Sequence, residues 1–558
     1  MMKRGFIVMN RRRLSVLILI ILPLSLFIPL YLDSQGFWNG DLTPDTIIHN
    51  GEILTMEQSP AQVEALAIQG GSILAIGDES DILAMAGRNT RFIDLEGRTL
   101  LPGFIDSHAH YVQGWSDGGF STPDEAVDFA LSCGWTSYSS MCVNPDLLEE
   151  LRTLDQQDRL RIRVNAYLQL SWEFYRLGDW YQAYQPGQEL GSKLRIGGVK
   201  IFMDYWWMDW VHYFNQTELD SLVQEAHEAG FQIAIHSVID SATDIVLNSL
   251  ESVLEGQSNE LYRHRIEHLV LLRDDQIQRM SNLGIIASFQ LSWCNSDSIP
   301  DYTQFYQDYS HIVGRWRDIV QAGMPSIGST DFSNYYPDVG SAMGAVYRAV
   351  TKTGYLGLAP PDWMLNQSLS VEQALRLITI DAAYGTFQED VKGSIKVGKL
   401  ADLVILSDNP LTVPEDSLAD IEVQLTMVGG RIEYTKEGVW RINIYTTTTD
   451  VDVSVSVSTS TSTRLSIDAA GNLSAQNSTQ SSATTTVNKT YGESFVKTGL
   501  QFSAAQKVIT TNFGETLKDA SLIRMCSAFR FSSIADLNSS HDLKEPFVLL
   551  RSSFVTKS

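Results

Sequence analysis

The sequence predicts an α/β chain with a (β/α)8 TIM barrel at its centre and a small β-sandwich formed from the segments that flank the barrel. Three observations carry this. Apolar strand-like runs alternate with helical patterns between residues 99 and 398, which is the signature of βα units and a parallel sheet. Eight such runs over about 300 residues fit a closed barrel. On either side, at 43–98 and 399–445, the texture changes to short strands and tight turns.

Taken in order, residues 1–13 hold Lys3, Arg4, Arg11, Arg12 and Arg13, and an uncharged apolar run follows over 14–32. That run is long enough for a bilayer core of ~30 Å, so a signal anchor or transmembrane helix is expected, with the catalytic region outside the cytoplasm. Secretion after signal cleavage is the alternative. The segment 43–98 reads as small-sheet strands, for example Ile47-Ile48-His49 and Ile73-Leu74-Ala75-Ile76 after Gly70-Gly71, and 401–406 and 423–430 share that texture. The two segments are expected to pair into one sandwich. The barrel strands are read at 99–110, 135–141, 162–168, 198–203, 231–236, 265–270, 285–290 and 326–331. Helices lie between them, such as 216–229 with Leu219, Leu222, Val223 and Ala226 on one face, and 371–382 with Ala374, Leu375 and Ile378. Residues 446–558 are a Ser/Thr-rich tail in which no chemistry is visible.

The 558 residues carry 41 Lys and Arg against 66 Asp and Glu, a net charge of -25, which excludes nucleic acid as a partner because a phosphate backbone is met with positive charge. The four cysteines, Cys133, Cys142, Cys294 and Cys526, form no CxxC pair, so neither a thiolate metal site nor a disulfide framework is indicated.

In a TIM barrel the active site sits at the C-terminal ends of the strands, and there the unusual residues fall. His108 and His110, spaced i, i+2 at the end of an apolar strand, point to one side of it. Lys200 alternates with Val199, Ile201 and Met203, which places it inside the barrel. A buried unpaired ammonium is expensive there; the cost is removed by a carboxylate partner such as Asp204, or by carboxylation of the amine with carbon dioxide to an anionic carbamate. His236, His268 and Asp331 end three further strands. Four histidines, a lysine and an aspartate on strands one, four, five, six and eight make a metal site, and imidazole with carboxylate donors suits zinc, or manganese, iron or nickel.

With these residues goes a set of motifs: Leu101-Pro102-Gly103-Phe104-Ile105-Asp106-Ser107-His108, Gly198-Val199-Lys200-Ile201-Phe202, and the closing Lys392-Gly393-Ser394-Ile395-Lys396-Val397-Gly398-Lys399-Leu400-Ala401-Asp402-Leu403-Val404. Over 43–434 the chain resembles the amidohydrolase superfamily, and within it the amidohydrolase-3 group of N-substituted formamide deformylase-like hydrolases. The resemblance implies two divalent metal ions, expected to be zinc. His108 and His110 with Asp331 would hold the more buried ion, His236 and His268 the more exposed one, and carboxylated Lys200 would bridge them. It departs in two places. The segment between His110 and Cys133 is short where the deformylase-like members carry a long insertion, and Tyr205 follows Asp204 where the family often has glycine. A formamide substrate is therefore not carried over.

The expected reaction is hydrolysis of a C–N, amide-type bond of a small molecule by metal-activated hydroxide, with Asp331 as general base. A mononuclear zinc deaminase of a heterocycle and a non-catalytic, surface-anchored binding protein are the rival readings. Aromatic residues on the same face, Trp172, Tyr205 and Trp206, with Gln290 and Trp293 at strand seven, either line a pocket for an apolar substrate group or form a lid that packs on itself. A homodimer is a further expectation.

Overall fold

The computed structural model describes residues 43–113, 120–172, 174–205, 211–298, 310–332 and 340–436, together with the backbone of short strands between 442 and 553. Eight parallel strands form one sheet: β1 (Phe104–Ala109), β2 (Trp135–Val143), β3 (Arg163–Gln169), β4 (Leu194–Phe202), β5 (Ile233–Ser237), β6 (Arg265–His268), β7 (Ile286–Gln290) and β8 (Ser326–Ser329). Each strand neighbours the next in chain order, and all eight sequence-predicted positions are met. The barrel closes at its C-terminal rim, where the Asp331 amide donates to His108 O at 2.8 Å and the His110 amide to Phe332 O at 3.0 Å.

Alternation decides what fills the interior. Val199 and Ile201 of β4, with Met203 just after it, join the apolar layer that also holds Leu219, Leu222, Val223 and Ala226 of the helix Gln216–Glu228. That helix starts on a capping box in which Asn215 and Glu218 satisfy each other's backbone amides. Lys200, between those apolar residues, is left for the barrel interior and is fully buried. The expected helix over 371–382 is two short ones, Val371–Leu377 and Ile380–Tyr384. Thr379 breaks it: its hydroxyl donates to Leu375 O at 2.7 Å, and its backbone turns to φ -132°, ψ -103°.

The sandwich is built from both flanks. One sheet contains Thr46–His49, Ala65–Gln69, Ser72–Gly77 and Arg91–Asp94, with Ile442–Thr446 antiparallel to the last of these; the other contains Glu52–Leu54, Gln62–Val63, Thr99–Pro102, Leu403–Leu406, Val423–Val428 and Arg431–Thr435. Ile48, Ile53, Leu66, Leu100, Ile405 and Leu425 pack between them. The run expected as a single first barrel strand over 99–110 is shared: Thr99–Pro102 pairs with Leu403–Leu406 in the sandwich, and the barrel begins at Phe104. Gly103 makes the change of sheet, and a Cβ there would lie 2.2 Å from Thr136 Cγ2, so no side chain fits.

The membrane helix expected over 14–32 is corrected. Among the described residues no helix is long and apolar enough to cross a membrane. The longest, Asp240–Leu254, has 15 residues, whereas a span takes about 20. Residues 14–32 themselves lie outside the described residues.

Candidate metal centre

At the C-terminal rim the structure brings together all six of the expected ligands. Asp331 Oδ1 lies 3.2 Å from His110 Nε2 and 3.6 Å from His108 Nε2, and the ligand atoms of these three residues all lie within 4.8 Å of one another. The ring of His268 is 4.9 Å from that of His108 and 4.2 Å from that of His236. Two of these residues reach the site through unusual backbone. His268 (φ 78°) and Asp331 (φ 53°) are in the left-handed region, a strain concentrated where side chains must converge. Simple alternation along β6 turns Glu267 inward and His268 outward; the positive φ brings His268 back to the rim.

The outer ring nitrogens of three histidines are occupied. His108 Nδ1 donates to Glu267 Oε2 at 2.7 Å, His110 Nδ1 to Gln113 Oε1 at 2.9 Å, and His268 Nδ1 to Gln290 Oε1 at 2.9 Å. Such partners fix the tautomer and leave Nε2 as the free lone pair. Burial pushes the imidazole of His108 down to about 3, with the charge of Lys200 adding to the effect. Burial likewise takes His268 down to about 4 and holds His236 well below the usual histidine range. All three are therefore neutral at neutral pH, the form that binds metal. Burial alone would raise the carboxyl of Asp331, but His108, His110 and His268 together hold it well below the usual range, so it is ionised.

The other side of the site has the opposite character. Lys200 Nζ, His236 Nε2 and His268 Nε2 are buried nitrogens with no hydrogen-bond partner among the described residues. Asp204 does not pair with the lysine. Its carboxylate accepts from the amides of Val238 and Ile239, ahead of the helix Asp240–Leu254, and its Oδ1 is 3.3 Å from His236 Nε2 without hydrogen-bond geometry. Burial raises it to about 7. Imidazole nitrogens without a hydrogen-bond partner among the described residues, beside a buried amine, form a donor set suited to cations, and the residues present fit divalent metal ions.

The expected pocket residues separate. Trp293 stacks on His268, with ring centroids 5.2 Å apart and planes 14° from parallel. Trp172, on the two-residue strand Ser171–Trp172, packs edge-on against Phe202 at 5.0 Å, and Phe202 in turn faces His236 at 5.1 Å. Phe202 was not singled out from the sequence, although its place two residues after Lys200 puts both on the same face of β4. Gln290 is spent on His268 and Ser329 rather than turned to a substrate. The backbone of Tyr205 pairs with Val211, and Trp206 lies outside the described residues.

Residues 125–434 match the family model described as the amidohydrolase family. The chain belongs to that family. The matched stretch contains Lys200, His236, His268 and Asp331, while His108 and His110 precede it. The chain is 28% identical to the N-substituted formamide deformylase of Arthrobacter pascens, over 71% of its own length and 99% of the relative's. It is 24% identical to the imidazolonepropionase of Symbiobacterium thermophilum, over 65% and 90% respectively. Among solved structures, an uncharacterised metal-dependent hydrolase from Pyrococcus horikoshii superimposes with a TM-score of 0.57 at 20% identity, covering 66% of this chain and all but 1% of the other. This amidohydrolase is an enzyme, a metal-dependent hydrolase of carbon–nitrogen bonds.

Proposed function

We propose that the enzyme hydrolyses an amide-type bond of a small molecule at a two-metal centre. In this reading His108, His110 and Asp331 would hold one divalent ion, His236 and His268 would hold the other, and Lys200, as a carbamate, would be a ligand to both. The observation that carries the proposal is Lys200 itself, which is fully buried and whose Nζ has no hydrogen-bond partner among the described residues. Burial lowers its amine from the usual lysine range, which favours the uncharged form that can react with carbon dioxide. The amine adds to carbon dioxide, a C–N bond forms, one proton is released, and the product is a carboxylate-like anion whose two oxygens suit two cations. Imidazole and oxygen donors without thiolate fit zinc.

When bound, the metals supply Lewis acidity for the scissile carbonyl and bring a water near neutral pKa. Asp331 stands between His108 and His110 at the mouth of the barrel and is ionised, so it accepts the proton of the attacking water and delivers it to the leaving nitrogen. The stacked Trp293 and the Trp172–Phe202 pair flank the histidines and receive an apolar substituent of the substrate. N-formyl amides, the class named for the Arthrobacter relative, and other N-acyl amides are the compounds to assay first. A one-metal deaminase draws support from the compact His108, His110 and Asp331 group, but leaves the buried Lys200 without a role.

The test is elemental analysis of purified chain expressed with bicarbonate, alongside an amide panel. About two divalent ions per chain with amide hydrolysis supports the proposal; a single ion per chain with full activity rejects the bridge.

A further inference from the structure

A charged group lies under the metal centre that neither the ligand set nor the general base uses. Arg265 and Glu267, alternate residues on β6, are both fully buried inside the barrel. Glu267 pairs with the Arg265 guanidinium through Nε and, at 2.8 Å, through Nη2. Glu267 Oε2 also accepts from Ser288 Oγ at 2.7 Å and from His108 Nδ1 at 2.7 Å. Arg265 Nη2 donates besides to Ser107 O, the carbonyl just before His108, at 2.9 Å, and to Ser288 Oγ at 2.8 Å. The pair thus ties β6 to β1 and β7 beneath the ligands.

We infer that Glu267, clamped by Arg265 and Ser288, is the positioning residue that fixes His108 as a metal-binding imidazole, and that this makes the His108 side of the site the tighter metal position. The inference rests on the metal-site reading above. Its physical basis is a contrast among the histidines. His110 and His268 give their Nδ1 protons to the neutral amides of Gln113 and Gln290, whereas His108 gives its proton to a carboxylate. A charged acceptor enriches the imidazole, which makes Nε2 a stronger donor to a cation. Both oxygens of Glu267 are committed to donors, so the carboxylate is held as an acceptor for His108 and is not itself free to swing onto the metal. Arg265 offsets the charge that would otherwise be stranded in the interior.

The experiment is a zinc competition titration of the full-length chain against a chromophoric chelator, for wild type and Glu267→Gln. The variant is expected to lose tenfold to hundredfold in affinity at its tighter site, with kcat recovering most of its value in excess zinc. Affinity within twofold of wild type overturns the positioning role and leaves the metal-site reading standing, whereas a wild-type chain that takes up no divalent metal overturns both. A measurement on the unaltered chain guards against a variant that does not fold. In a histidine 15N spectrum of zinc-loaded wild type, with the His108 signal assigned by its loss in His108→Asn, a protonated Nδ1 is expected. An unprotonated Nδ1 overturns the inference.

Discussion

The two halves of the metal centre are built on different terms. On β1 and the loop after β8, a carboxylate stands between two imidazoles, so His108, His110 and Asp331 compensate one another. On β4, β5 and β6, Lys200, His236 and His268 present three buried nitrogens with no hydrogen-bond partner among the described residues. The first half is stable as protein. Among the described residues the second carries a desolvation cost, on the order of 1–3 kcal/mol per unmatched polar group, that a bound cation would offset. Function is therefore written most plainly where the fold alone is least satisfied.

The largest effect is expected from the unsatisfied half. Lys200→Ala should reduce the metal content from about two ions per chain to about one and take turnover to the assay floor, with partial recovery in a short-chain carboxylic acid such as propionate. Retention of both ions in that variant would contradict the bridge. The satisfied half should respond differently: Asp331→Asn keeps the metal and lowers kcat by about 10²–10⁴. Asparagine is the right replacement because it tolerates the left-handed backbone at φ 53°. A variant with wild-type kcat would remove Asp331 from proton transfer. A smaller change belongs to the aromatic flank, where Trp172→Ala should raise KM roughly three- to tenfold for amides with an apolar substituent and leave kcat unchanged; equal KM for apolar and small substrates in the variant and wild type would mark Trp172 as packing only.

The smallest effect sharpens the comparison with a third kind of buried histidine. His264 is as deep as the ligands, but its Nδ1 accepts from the Ile233 amide at 3.1 Å and its Nε2 lies 2.9 Å from His227 Nδ1. Burial, with His227 adding to it, lowers His264 to about 3 from the ordinary 6.5. Between those values the unfolded chain binds a proton that the folded chain refuses, so this stability is complete above about pH 6.5 and is lost as pH falls toward 3. In His264→Asn the drop in Tm between pH 7 and pH 5 should be smaller than in wild type by roughly 2 °C, with or without zinc. An identical drop in both would show that His264 does not drive it.

Much of this was legible in the sequence because β strands of a barrel write a period of two. Lys200 between Val199 and Ile201, and the eight apolar runs, needed nothing more. What alternation cannot show is where it fails. The positive φ of His268 reverses the face on which that residue emerges, and Gly103 moves one extended run between two sheets. The Arg265 and Glu267 pair was not singled out from the sequence; its link to His108, 159 positions away, is a matter of barrel closure that spacing does not encode.

The shared run from Thr99 to Ala109 has a consequence for anyone trimming this enzyme. Thr99–Pro102 is a strand of the sandwich and, one glycine later, the same stretch becomes the strand that presents His108. Deleting the sandwich would not free a smaller catalyst; it would cut the rope by which a ligand hangs. The dispensable-looking module is in that sense an anchor for the chemistry, and amides of Leu101 and Ile105 should resist deuterium exchange to the same degree.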